Sequence, residues 1–100
     1  MTYAIVWEFK VPQQRIADFE AAYGPDGAWA RLFAKAAGFI ETNLLRCTEQ
    51  EGHYLTVDRW VSQSAFAAFQ TQFTFECRAL DELLEGIAAT ETRIGAFVVS

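Results

Sequence analysis

The sequence predicts a single α+β domain in which helices cover one face of a four-stranded sheet. Segments that alternate like strands and segments with helical spacing follow one another in the order strand, helix, strand, strand, helix, strand. The chain has 100 residues, which is enough for one domain spanning 1–100. Its residues are 52% hydrophobic and 15% aromatic, a large apolar content for so small an interior. The surplus apolar side chains therefore contact a second copy or line a ligand cavity.

The first strand and the first helix are marked by their periodicities. Residues 2–11 alternate between two faces and are rich in aromatic and β-branched side chains, which is typical of a strand. Pro12 suits the first turn of a helix. The helix that follows carries three apolar residues at helical spacing: Ile16, Phe19 and Tyr23.

The sequence Gly-Pro-Asp-Gly at 24–27 divides the first helical segment into two pieces. We expect Gly24 to adopt a left-handed conformation at the end of the first piece, since Pro25 cannot continue the hydrogen-bond ladder. Asp26 is a candidate cap for the second piece, which Gly38 ends. The second piece has apolar residues at helical spacing: Trp29, Leu32, Phe33 and Ala36.

A strand hairpin, a long helix and a closing strand complete the pattern. Residues 39–47 and 53–61 are predicted strands around a turn at 48–52, and Ser62 or Ser64 caps the helix that follows. Its apolar residues step by three or four: Phe66, Phe69, Phe73, Cys77, Leu80, Leu84 and Ile87. We expect a kink near Thr71 and Thr74, which are poor helix-interior residues, and an end near Gly86. Residues 92–100 form the closing strand.

This order is the split βαβ, ferredoxin-like plan, with the first and third strands expected as parallel neighbours and all helices on one face. Neither sheet face is cleanly polar. In the third strand Leu55, Val57 and Val61 lie on one side, and Tyr54 and Trp60 lie on the other. A solvated sheet face should be polar, and the helices cover only one face. We therefore expect a homodimer in which a second sheet covers the other face.

Charge and composition exclude several classes of partner. The net charge is −5 and no basic cluster is present, so neither nucleic acid nor an anionic membrane surface is an expected partner. The sequence contains neither a signal-peptide pattern nor an apolar run long enough to span a bilayer. Cys47 and Cys77 are far apart and are expected to be reduced thiols. We therefore expect a cytoplasmic protein.

The single histidine limits the chemistry that is available. His53 follows a glycine at the hairpin, where we expect an exposed turn position. Such a residue leaves the chain without an imidazole base for a Ser-His or Cys-His nucleophile pair. No set of His, Cys and carboxylate residues has metal-ligand spacing either. The sequence therefore predicts no metal site and excludes the common hydrolase chemistries.

The segment after the third strand resembles the antibiotic biosynthesis monooxygenase family of dimeric α+β-barrel proteins. It reads Trp-x-Ser-x-x-Ala-Phe from Trp60 to Phe66, and residues 36–46 look like the family's second strand, entered through a glycine. The resemblance implies a pocket between helices and sheet, which some members use for cofactor-independent oxygenation of quinol-like or polycyclic aromatic substrates. Haem-degrading relatives need a histidine on the helix after the strand tryptophan. Here that helix carries Gln70 and Gln72 instead, which counts against haem.

Three polar side chains are candidates for such a pocket, each with a structural alternative. Trp60, as a catalytic residue, would point its indole N–H into the cavity and stack on a flat substrate, or it simply packs between sheet and helices. Asn43 is the second catalytic candidate, although asparagine is a poor strand former. Either its side-chain amide has a specific hydrogen-bond partner, or it lies on an edge strand in contact with water. Arg59 is a candidate substrate anchor, or it forms an ion pair with Glu8 at the dimer seam.

Five aromatic residues are the remaining candidates for substrate binding. The helix break allows Tyr23, Trp29 and Phe33 to converge over one end of the sheet. They would lie near two residues of the long helix: Phe66 and Phe69. The alternative is that all five belong to an ordinary hydrophobic core. A surface of this kind suits a flat apolar ligand better than a sugar or a phosphate.

The sequence therefore predicts a homodimer that binds a small apolar or aromatic molecule. The resemblance implies that it is a monooxygenase that needs no cofactor. Cofactor-free oxygenation requires a dry cavity, polar groups that favour the substrate anion and room for dioxygen. Two alternatives stay open. One is a non-catalytic protein that binds a ligand or only forms a dimer, and the other is an isomerase or decarboxylase that uses the same cavity.

Overall fold

The computed structural model describes residues 1–100 and has the predicted order of strands and helices. The elements are β1 (Thr2–Lys10), α1 (Ile16–Tyr23), α2 (Ala28–Phe33), β2 (Phe39–Arg46), β3 (His53–Trp60), α3 (Gln63–Gln72), α4 (Thr74–Leu83) and β4 (Thr90–Val99). A single 3-10 turn at Gln13–Arg15 precedes α1. The ferredoxin-like α+β fold is thus confirmed, and no helix is long and apolar enough to cross a membrane.

The sheet has the strand order β2-β3-β1-β4, and every neighbouring pair is antiparallel. The prediction that the first and third strands are parallel is therefore wrong. The hairpin between β2 and β3 reverses the chain, so that β3 runs opposite to β1. The parallel crossover relates β1 to β2, and β3 lies between them. The predicted central position of the first and third strands is correct.

The first helical segment breaks at 24–27 for a reason other than the predicted one. Gly24 has an extended backbone, with φ −73° and ψ 176°, and is not left-handed. A Cβ on Gly24 would lie 2.7 Å from the carbonyl oxygen of Glu20. Gly27, not Asp26, occupies the N-cap position of α2, and no side chain caps this helix. Both glycines are therefore explained by close backbone approach rather than by left-handed geometry.

The predicted kink in the long helix is a complete break between α3 and α4. Phe73 separates them with φ −112° and ψ 27°. The hydroxyl of Thr71 donates to the carbonyl of Ala67 at 3.2 Å, and that of Thr74 donates to Gln70 at 2.5 Å. Hydroxyls bonded to carbonyls of the preceding turn bend helices. At the other end, Ser62 rather than Ser64 caps α3 by accepting from the Ala65 amide at 3.1 Å.

The core lies between the sheet and the helices in two neighbouring clusters. One contains Phe9, Phe19, Tyr23 and Tyr54, and the other contains Ile5, Leu32, Phe33, Trp60 and Phe69. The helix-facing side of β3 supplies both clusters, because its side chains alternate in burial along the whole strand. The space between helices and sheet that the core leaves unfilled is described below.

The outer face of the sheet carries apolar side chains that no helix covers. Phe97 on β4 is 50% exposed, and Leu45 on β2 and Val61 after β3 are exposed to a similar degree. Val57 lies between them at the centre of this face, opposite Val6. The sequence prediction that neither face is cleanly polar is confirmed.

Candidate functional site

A cavity of about 250 Å³ lies between the helices and the sheet and is partly open to solvent. Three residues of β1 that share one face, Ile5, Trp7 and Phe9, form much of its floor. They share a face because side chains two apart on a strand point the same way. The space is lined mainly by apolar side chains, as is usual for a small-molecule site.

The structure brings together all five aromatic residues that were predicted to bind substrate. Tyr23 comes from the end of α1, Trp29 and Phe33 from α2, and Phe66 and Phe69 from α3, and all five line the cavity. The rings of Trp29 and Phe33 lie 5.7 Å apart between centroids, and those of Phe33 and Phe69 lie 5.2 Å apart. The two helix breaks thus place an aromatic wall opposite the strand floor.

The floor of the cavity also contains a buried carboxyl group, that of Asp58 on β3. Asp58 is 9% exposed and lines the cavity together with Thr42 and Thr56, which are both buried. The Thr42 hydroxyl, directly across from it on β2, donates a hydrogen bond of 2.8 Å to Oδ1. Burial raises the pKa of Asp58 to about 6, and the bond from Thr42 opposes that shift. No cation pairs with this carboxyl group.

A second set of polar side chains lies where α1, α4 and β4 meet. The Tyr23 hydroxyl is 3.4 Å from Oε1 of Glu91 and donates to it. Burial raises the pKa of Tyr23 to about 12, and the charges of Glu91 and Asp81 add to this effect. Burial also raises the pKa of Asp81 and that of Cys77, one turn earlier on α4. All four side chains line the cavity.

Trp60, the first catalytic candidate, does not line the cavity. It is 0% exposed, and its ring contacts four phenylalanines, with centroids 5.1 Å from Phe69 and 5.4 Å from Phe66. Its indole N–H is buried without a hydrogen-bond partner. Phe33, Phe66 and Phe69 separate Trp60 from the empty space. The structural alternative is therefore the one observed, and Trp60 supports the aromatic wall from behind.

Asn43 and Arg59 lie on the outer face of the sheet and do not reach the cavity. Asn43 is exposed on the edge strand β2, opposite Val57. Arg59 lies 3.5 Å from Glu41, and its Nε is buried without a partner. The expected pairing of Arg59 with Glu8 is wrong, because Glu8 lies 2.7 Å from Nε2 of His53. His53 is accordingly the half-buried first residue of β3 and not an exposed turn residue.

Asp58 is the residue that the sequence analysis missed. The alternation of β3 places it on the same face as three buried residues: Tyr54, Thr56 and Trp60. A carboxylate on the buried face of a strand is rare unless it is paired. That position alone was a signal, because a carboxylate shares this face with the aromatic side chains of Tyr54 and Trp60.

The carboxylates of the cavity do not form a metal site. No three His, Cys, Asp or Glu side chains lie close enough together to hold a metal ion. Cys47 and Cys77 are both free thiols, as predicted.

Comparison with known proteins agrees with the fold and with the resemblance in sequence. SnoaB, a cofactor-independent oxygenase from Streptomyces nogalater, is 25% identical, with a TM-score of 0.69 over 99% of this chain and 93% of that one. A protein from Bordetella bronchiseptica named for antibiotic biosynthesis monooxygenase is 23% identical, with a TM-score of 0.77 over 99% and 97%. MhuD, in a mutant with two manganese protoporphyrin IX molecules per active site, is 21% identical, with a TM-score of 0.70 over 97% and 93%. The last two likenesses concern the fold alone.

No curated protein matches the sequence. The family described as antibiotic biosynthesis monooxygenase, however, matches residues 2–76. Because that match extends over most of the chain, from β1 into α4, the protein belongs to the antibiotic biosynthesis monooxygenase family.

Proposed function

We propose that the protein is a cofactor-independent monooxygenase that oxidises a small hydroxyaromatic, quinol-like molecule in the cavity between helices and sheet. The observation that carries this proposal is the buried Asp58 carboxyl group facing an aromatic space. Family membership and the similarity to a cofactor-independent oxygenase support the reaction class. Tyr23, Trp29 and Phe33 hold the flat ring from the helix side.

Asp58 acts as the general base in this scheme. A base that works near neutral pH is most effective when its pKa lies close to that pH. With a pKa of about 6, Asp58 is mostly ionised at pH 7 and yet more basic than an ordinary aspartate. The Thr42 hydroxyl donates a hydrogen bond to Oδ1 of Asp58. Oδ2 is therefore the oxygen that accepts the hydroxyl proton of the substrate. Thr56, two residues away on the same face, is a candidate donor to the resulting oxyanion.

The reaction balances without any further reagent. Asp58 takes the hydroxyl proton, and the electron-rich anion delivers its electrons to dioxygen, forming a C–O bond at a ring carbon that bears hydrogen. Asp58 returns that first proton to the peroxide, which gives a hydroperoxide. The Asp58 carboxylate then takes the ring C–H proton as the O–O bond breaks and the C=O bond forms, and it passes this proton to the departing hydroxide, which leaves as water. A hydroxyaromatic and dioxygen thus give a quinone and water, and the substrate supplies all four electrons that dioxygen accepts.

We also infer that the protein works as a homodimer formed by the outer faces of two sheets. Phe97, Leu45 and Val61 are about half exposed on this face. Arg59 Nε is buried there without a partner. Large apolar patches on one face of a small domain favour association, and a two-fold axis matches such a face with itself. The expected cytoplasmic location stays a prediction.

Oxygen uptake tests the proposed activity. The protein is incubated with anthrone and with 1,5-dihydroxynaphthalene, and uptake is compared with an enzyme-free blank. We expect catalysed uptake with a rate that rises with pH through about 6, and a loss of about a hundredfold or more in Asp58→Asn. Asp18→Asn, the same change at an exposed position on α1 outside the cavity, keeps the full rate.

The non-catalytic alternative has a distinct outcome in the same experiment. If the aromatics quench tryptophan fluorescence by binding, and none is consumed faster than in the blank, the protein is a binder. If Asp58→Asn oxidises them at the wild-type rate, the assignment of Asp58 as the base is wrong.

A further inference from the structure

The walls of the cavity contain acidic side chains and no basic ones. Asp58, Asp81 and Glu91 are among its fifteen lining residues, which include no lysine, arginine or histidine. Two arginines lie close by without lining it. Arg78 borders a shallow depression that shares Asp81 with the cavity, and Arg93 is exposed on β4 opposite Trp7, on the same face of the sheet as Glu91. The whole chain carries a net charge of −5. The side chains that line the cavity therefore carry negative charge and no positive charge.

The acidic groups lie at two ends of the space. Asp58 is opposite Ile5 on β1, and Glu91 is opposite Phe9. These positions are four residues apart, or about 13 Å along the strand. Asp81 belongs to the Glu91 end, because both carboxylates act on the hydroxyl of Tyr23. One molecule with two polar ends can thus contact both groups.

One further observation indicates that the cavity is built for a ligand. Asp58 is nine-tenths buried and lines the space, and it accepts a protein hydrogen bond at Oδ1 only. Its Oδ2 has no protein donor. Buried polar groups normally have partners, so this oxygen is expected to gain one from a bound molecule.

We propose that the substrate is a cationic aromatic: a hydroxyaromatic ring whose hydroxyl faces Asp58 and whose protonated amine lies between Asp81 and Glu91. This inference deepens the proposed function and rests on it for the role of the hydroxyl. The amine gains two carboxylate partners and lies near the face of Trp29, which favours cations. A substrate carboxylate at the same place would be repelled by both. The spread of the carboxylates also suits an organic cation better than a metal ion.

Binding of three matched probes tests the proposal independently of turnover. The probes are hydroxynaphthalenes that differ only in a side arm ending in an amine, an alcohol or a carboxylate, measured at neutral pH by quenching of tryptophan fluorescence. Trp7 and Trp29 line the cavity and report on occupancy. We expect the amine to bind about tenfold more tightly than the alcohol, and the carboxylate to bind most weakly.

A charge-matched pair of variants separates local contact from the overall field of the protein. The Asp81→Asn/Glu91→Gln double variant should remove most of the amine's advantage while leaving the affinity for the alcohol within about twofold. Glutamine at 91 can still accept from Tyr23. Asp26→Asn/Glu85→Gln changes the net charge equally at exposed positions outside the cavity, and it should keep the tenfold preference.

The proposal is overturned if amine and alcohol bind equally, if the carboxylate binds best, if the control pair abolishes the preference, or if no probe binds. Its failure is distinguishable from failure of the proposed activity. If the amine preference is present and no probe consumes oxygen beyond the blank, the oxygenase assignment fails and the charge selectivity stands. Oxygen uptake without an amine preference gives the opposite result.

Discussion

At the scale of single residues, Asp58 has a cost in stability that an ordinary core residue would not have. Its carboxyl group is ionised at neutral pH although it is buried and has no cationic partner. Thr42 supplies one hydrogen bond, which offsets only part of the lost hydration. Groups held in such unfavourable ionisation states occur preferentially at functional sites. Stability and activity are therefore expected to change in opposite directions at this position.

The Asp58→Asn variant should be more stable than the wild type at pH 7. Because the pKa of Asp58 is raised by folding from 3.8 to about 6, the folded state binds more protons than the unfolded state between these values. The penalty is fully present above pH about 6 and absent below pH about 4, and it amounts to about 3 kcal/mol. Asparagine avoids it and still accepts from Thr42.

Urea unfolding across this pH range measures the difference. The stabilisation by Asp58→Asn should shrink as the pH falls through this window, whereas Asp18→Asn should show no comparable trend, since Asp18 is exposed and only pairs with Arg15. A variant that is less stable than the wild type at pH 7 would mean that Asp58 has a stabilising partner.

At the scale of elements, breaks in the two helical segments shape the cavity wall. The interruption at 24–27 brings Tyr23 and Trp29 to the same space, and the interruption at Phe73 separates Phe69 on α3 from Cys77 on α4. Neither segment would place these side chains around one cavity as a single straight helix. The backbone of the turn between α2 and β2 is also constrained, because Gly38 has a φ of +93° and lies against α3.

Two glycine substitutions separate backbone strain from crowding. Gly38 and Gly86 have similar positive φ values, +93° and +86°, so alanine is strained at both by about 1 kcal/mol. A Cβ at Gly38 would lie 2.7 Å from the Cβ of Ala65, whereas nothing lies within 4 Å at Gly86. We therefore expect Gly38→Ala to cost about 1–3 kcal/mol more than Gly86→Ala in urea unfolding. Equal losses would show that α3 does not pack tightly on this turn.

The periodicity of the sequence was sufficient to predict the elements and the aromatic wall, because these depend on local spacing. The direction of β3 was predicted wrongly, since it depends on the hairpin before it and not on its own residues. Trp60 was assigned to the correct face, but spacing cannot indicate that Phe33 and Phe66 would separate it from the cavity. Arg59 and Asn43 were predicted to line the cavity only because of their polar side chains. They alternate along their strands with Asp58 and Thr42, which face the cavity, so they belong to the outer face of the sheet.

At the scale of the whole molecule, the two faces of one sheet have different tasks. The helix-facing side encloses the cavity, and the outer side carries the apolar side chains that we propose a second copy covers. A dimer would bury Phe97 and leave the cavity within each protomer. The association and the site are thus expected to be separable by mutation.

Sedimentation of two phenylalanine variants tests the dimer. The wild type should sediment at twice the chain mass of 11.3 kDa, and Phe97→Glu should shift it towards the monomer because a carboxylate would be buried in the interface. Phe75 on α4 is even more exposed, at 79%, but lies away from the sheet. Phe75→Glu should therefore stay dimeric. A wild type that remains monomeric at micromolar concentration would contradict the inferred interface.

The origin of the oxygen atom in the product tests the central claim most directly. Anthrone and 1,5-dihydroxynaphthalene, which both have a hydrogen-bearing carbon para to an oxygen, are turned over under oxygen-18 gas in ordinary water. The quinone is analysed by mass spectrometry against an enzyme-free blank. The proposed reaction predicts one labelled atom per enzymatically formed quinone, at a rate that falls in Asp58→Asn. A quinone whose new oxygen comes from water, or no product beyond the blank with any aromatic that binds, would contradict the account.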